Sequence, residues 1–177
     1  WLSPRDVWAV IGAVALLLAA MWVRHGGLSR DPLTIVGELT ALGGTYAALV
    51  GILFSARVPW LDQVLGADRL RVAHRWLGFA SVWAIGVHAL VSTLAVAGGA
   101  VGELLPTLVA MVGTVPGMLG AVVGMALLVL VAVSSIRAAR ARLSYESWHG
   151  VHLYAYLAMA FGYLQDRKST RLNSSHV

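Results

Sequence analysis

The sequence predicts an all-α integral membrane protein, a helical bundle of about five spans. Three observations carry that prediction. The chain is 59% apolar and only 12% charged, with a mean hydropathy of +0.78, outside the range of soluble domains. Its apolar runs are continuous rather than alternating, which suits helices and not the strands of a barrel. Its charges gather between those runs, where the hydrocarbon core does not have to accommodate them.

Span 1, about Val7–Val23, is apolar enough to cross a bilayer and shows no small-residue cleavage site, so no secretory signal separates from it. Span 2 is about Thr34–Ala56. Its Gly37, Gly43, Gly44 and Gly51 offer small-residue surface for close helix packing. Span 3, about Ala73–Ala97, carries His74 and His88. Gly98–Gly117 holds prolines and glycines and reads as an external loop, with LPTLVAMVG as a short interfacial or re-entrant piece. Span 4 is about Met118–Ile136, and span 5 runs from near Trp148 to about Gln165.

The ends read differently. The chain begins at Trp1 without an initiator Met, which is the expectation for a fragment. Asp166–His176 reads DRKSTRLNSSH, a match to the translation of a common sequencing-adapter oligonucleotide. The expected division is therefore 1–165 as membrane domain and 166–177 as a non-native tail.

With no cysteine, disulfides, thiolate clusters and covalent c-type haem are excluded. The net charge of +5 arises in loops, so it speaks to topology and lipid contact, not to nucleic acid. Arg5, Arg57, Arg69, Arg71, Arg75, Arg137, Arg140 and Arg142 fall on one side of the bundle, and only Arg24 and Arg30 on the other. The positive-inside rule puts the N-terminus and the arginine-rich loops in the cytoplasm, and spans 3 and 5 then run parallel.

His74 and His88 are fourteen residues apart. On one helix they differ by roughly 40° in direction and about 21 Å in height. Ionisable residues at two depths of a span are a functional hypothesis by default. A lone membrane histidine is often only an interhelical hydrogen-bond donor, worth around 1 kcal/mol. Here span 5 adds His149 and His152 at its cytoplasmic end, so His74 and His152 share an inner depth. His88 lies at the outer depth, where Gln165 is the matching position on span 5. Imidazoles on facing helices are how bundles hold haem iron. Thirteen residues separate His152 from Gln165, about 140° apart on an ideal helix, so span 5 needs a bend or π-bulge to serve both depths.

The pattern HRWLG, nine residues, then His in span 3, followed by SYESWHGVHLYAY in span 5, resembles the ferric reductase-like transmembrane domain. That family includes ferric reductases, NADPH oxidases and the haem subunit of a sulfoxide reductase system. The resemblance implies six spans in the intact domain, of which the last is missing here. It implies two stacked b-type haems, the inner iron held by His74 and His152 and the outer by His88. The family's fourth histidine falls at Gln165, which reads as a histidine codon truncated at the adapter junction. Arg75 and Arg142 lie at the cytoplasmic haem edge, where guanidinium suits propionates and equally suits a positive-inside or lipid-headgroup role, and His149 is an interfacial residue, a propionate contact or a substitute ligand. The implied function is that of a plasma-membrane oxidoreductase component passing electrons to an external acceptor such as ferric iron or oxygen. The donor would be FAD and NAD(P)H on a missing domain or a cytoplasmic flavoprotein subunit. A quinol-linked cytochrome b subunit and a sulfoxide reductase haem subunit are alternatives. A haem-free transporter relaying protons through His and Glu38 is the alternative of another class.

Overall fold

In the computed structural model, residues 3–135, 144, 146–154, 156 and 157 are described, and no strand occurs among them. Proline and a capping side chain start the first two long helices. Helix α1, Pro4–Arg24, opens on a reciprocal cap: Ser3 N–H donates to Asp6 at 2.6 Å, and Asp6 N–H donates to Ser3 Oγ at 3.4 Å. Helix α2, Pro32–Ser55, opens on Asp31, which accepts from Thr34 N–H at 3.0 Å. It stops where Arg57 turns into the left-handed region (φ 49°). A seven-residue helix, α3, Pro59–Leu65, ends at Gly66 with φ 82°, a conformation open to glycine because it has no Cβ. Helix α4, Ala67–Val96, starts on the next residue.

The chain divides into two compact units, Trp1–Ala95 and Val96–Val177. In the first, α1 and α4 both lie antiparallel to α2. Trp8 meets Phe54 edge-on at 5.7 Å, the Tyr46 hydroxyl donates to the Ile11 carbonyl at 2.6 Å, and the Trp22 indole N–H donates to Glu38 at 2.8 Å. On its other side α2 presents Gly51 to His74 and Leu77, Gly44 to Ala84 and Ile85, and Gly37 to Ser92. The core of this unit sits at the α3 end, where Val7, Val50, Phe54, Leu61, Leu65 and Leu70 are buried together.

In the second unit, helix α5, Leu104–Thr114, packs on α6, Met118–Ser135. A further helix, α7, covers 146–154. Ser144 caps it, its Oγ accepting the Ser147 N–H at 3.1 Å.

Four of these helices are long and apolar enough to cross a membrane, and at most 22% of any one's apolar window is buried. So much outward-facing apolar surface requires lipid as the solvent. The predicted all-α membrane bundle is what the structure shows. Spans 1, 2 and 4 correspond to α1, α2 and α6. Three details differ. Helix α4 begins at Ala67 rather than near Ala73, because its polar first turns are held by the buried Leu70 rather than by hydropathy. Residues 59–65, expected as loop, form α3, whose Leu61 and Leu65 close the core. Gly43 takes no part in the close packing, since a Cβ there would meet nothing within 4 Å. The expected span 5 is described only over α7 and residues 156–157. Its remainder, Gln165, Arg142 and the 166–177 tail lie outside the described residues.

Candidate functional site

An unbroken α4 puts His74 and His88 on one face, fourteen residues apart. Both rings turn toward α2. His74 Nδ1 lies 2.8 Å from the Gly51 carbonyl oxygen, and His88 Nδ1 lies 2.8 Å from that of Gly37. Gly37 and Gly51 are themselves fourteen residues apart, so the antiparallel register makes the same contact twice. A carbonyl oxygen only accepts. Each Nδ1 therefore carries the proton, and in the neutral ring Nε2 carries the lone pair.

The missing side chain matters to this approach at Gly37 and not at Gly51. A Cβ at Gly51 would lie 3.7 Å from His74 Nδ1, and one at Gly37 would lie 2.8 Å from Ser92 Oγ. Midway, at Gly44, a Cβ would press on Ile85 Cγ1 at 2.9 Å and on the Ile85 backbone nitrogen at 3.2 Å. The glycines recur every seven residues, and so do His74, Ser81 and His88 across from them. Ser81 is 2% exposed, and its hydroxyl has no hydrogen-bond partner among the described residues.

The two ends of the unit differ in charge. Near Gly37, Glu38 accepts from Trp22 through Oε2 and pairs with Arg30 through Oε1. Both carboxylate oxygens are thus engaged locally. At the other end Arg71 pairs with Asp68 on the surface. Arg75 is exposed, with its guanidinium 5.8 Å from the centre of the Trp76 ring.

His149 and His152 lie on α7 in the second unit. His149 is exposed, while the half-buried His152 stacks on Trp148, with ring centres 5.0 Å apart and planes 28° from parallel. Among the described residues no group of three or more His, Cys, Asp or Glu side chains converges. The pairing of each histidine with a glycine carbonyl, and the place of Ser92 beside His88, were not anticipated from sequence. The matched seven-residue spacing of the two stripes was the signal available.

The sequence profile described as ferric reductase like transmembrane component matches residues 40–163. The chain belongs to that family. The matched segment holds His74, His88, His149 and His152 and ends before Gln165. No curated protein and no solved structure matches the chain. As a ferric reductase-like transmembrane domain it is the membrane component of an oxidoreductase. Its role in that setting is electron transfer across the bilayer.

Proposed function

We propose that this domain carries electrons through two b-type haems stacked across the membrane. The observation that carries the reading is the repeated bond from His74 and His88 to α2 carbonyls. Histidines that ligate a metal usually donate the other ring N–H to a carbonyl or carboxylate, which fixes the tautomer and orients the lone pair. The residues present therefore fit the group. The lack of a three-ligand cluster among the described residues is compatible with it, since porphyrin supplies four nitrogens and needs only axial side chains.

In this proposal His74 and His152 are the axial pair of the inner haem and His88 a ligand of the outer one. Position 165 is the place of the fourth ligand. The pairing with His152 rests on the family resemblance. Bound haem supplies a one-electron couple at each level. The protein offers Nε2 lone pairs about 21 Å apart along α4 and orients them through Gly51 and Gly37. Arg75, Arg142 and His149 are the candidate propionate contacts. The arginine asymmetry supports a cytoplasmic N-terminus in the cell membrane and electron entry at the inner level. The donor would be a flavin and NAD(P)H module on the same chain or a partner subunit, and the acceptor an external oxidant such as ferric iron or oxygen.

The test is a reduced-minus-oxidised spectrum of the purified protein. It should show b-type Soret and α bands, and their absence would overturn the reading. His74→Ala should remove one spectral component and His88→Ala the other. Retention of both components in both variants would refute the ligand assignment.

A further inference from the structure

We propose that Ser92 is a positioning residue for His88, making its ring a stronger electron donor and lowering the potential of the His88-dependent haem level. The inference rests on the haem reading above. Ser92 follows His88 by one helical turn, and its Oγ lies 3.2 Å from His88 Nδ1. The Gly37 carbonyl, at 2.8 Å from the same nitrogen, obliges Nδ1 to carry the proton. The serine oxygen therefore presents a lone pair to an N–H already donated to Gly37, a three-centre arrangement.

Gly37 serves this arrangement twice. Its carbonyl takes the main hydrogen bond, and its missing side chain leaves the space in which Ser92 sits. A Cβ on Gly37 would lie 2.8 Å from Ser92 Oγ.

The inner level has no serine at the equivalent place. His74 makes the matching bond to Gly51, but the residue one turn further on is Gly78. Space is not the reason: a Cβ at Gly78 would meet nothing within 4 Å. The two levels thus share a register and a carbonyl contact and differ in this hydroxyl. An imidazole N–H shared with more acceptor oxygen pushes density into the ring and strengthens Nε2 as a ligand. A stronger ligand favours ferric over ferrous iron and lowers the potential of that level.

The experiment is a redox titration of purified protein followed by absorbance, with the two levels identified by their loss in His88→Ala and His74→Ala. Ser92→Ala should shift the oxidised-to-reduced ratio of the His88-dependent component roughly threefold to tenfold toward reduced at fixed potential. That equals a rise of about 30–60 mV for a one-electron couple. Ser92→Thr, which keeps the hydroxyl, should stay near the parent. The converse variant, Gly78→Ser, should move the His74-dependent component the opposite way, with Gly78→Ala as the control that does not. An unmoved potential in Ser92→Ala, or an equal shift of both components, overturns the proposal while leaving the haem reading intact. If Ser92→Ala loses the His88-dependent component altogether, Gly78→Ser decides, and no downward shift there overturns it. Absence of any haem band in the parent protein defeats the haem reading itself, and this inference with it.

Discussion

Gly44→Ala places one methyl group between α2 and α4 at the midpoint of their contact. The added Cβ would lie 2.9 Å from Ile85 Cγ1, 3.1 Å from Ala84 Cβ and 3.2 Å from the Ile85 backbone nitrogen. The Ile85 side chain can turn aside, but the backbone nitrogen and the Ala84 methyl cannot, so the helices must separate. Overpacking of this kind costs about 1–3 kcal/mol. Alanine returns about 0.8–1.0 kcal/mol of helix propensity over glycine. Gly43→Ala gains the same propensity and meets nothing within 4 Å. Propensity cancels between these neighbours, so Gly44→Ala should be less stable than Gly43→Ala by about 1–3 kcal/mol. Gly51→Ala belongs with Gly43→Ala, because its Cβ would make ordinary contacts of 3.6 Å with Leu77 and 3.7 Å with His74. The assay is reversible unfolding in mixed micelles, with helix content read by circular dichroism. Equal stability of Gly43→Ala and Gly44→Ala, or the reverse order, would refute the packing face assigned to α2. The two histidine–carbonyl bonds lie seven residues to either side of the wedge, so Gly44→Ala should also weaken both spectral components together.

Tyr46→Phe removes the 2.6 Å bond to the Ile11 carbonyl that ties α1 to α2; the same unfolding assay should register a loss of about 1 kcal/mol, and a neutral result would remove that bond from the account. Asp31, just ahead of α2, is held below the usual carboxylate range by the Thr34 side chain first and the Thr34 backbone second. Its contribution to the helix start is then fully present above the ordinary aspartate value of about 3.9 and is lost as pH falls through the lower folded value. A carboxyl-carbon NMR titration should give a midpoint below the ordinary value, raised toward it by Thr34→Val. A midpoint at or above the ordinary value in the parent would contradict the cap.

Most of the long helices were legible because their signals are local. Continuous apolar runs mark them, while the starts at Pro4 and Pro32, each after a capping residue, lie ahead of the expected Val7 and Thr34. Helix α3 was not read, although Pro59 and Gly66 bracket it, because seven residues carry too little periodicity to separate a helix from a loop. The polar first turns of α4 were missed for a related reason. Hydropathy does not register a stretch of helix whose only buried anchor is Leu70.

The sequence by itself determined that the chain is an apolar helical bundle, and that His74 and His88 share one face of one helix. Both follow from side-chain chemistry and the 3.6-residue period, which are properties of neighbouring residues. Only the tertiary structure decided which atoms those histidines meet. Every residue carries a backbone carbonyl, so no pattern of side chains marks Gly37 and Gly51 as acceptors. The antiparallel register of α2 on α4 selects them, and the missing side chains of Gly37 and Gly44 let the helices come close enough for imidazole to reach the backbone. That register, a property of two helices whose contacts join residues 23 and 51 apart in the chain, turns a spacing of histidines into a pair of oriented nitrogens.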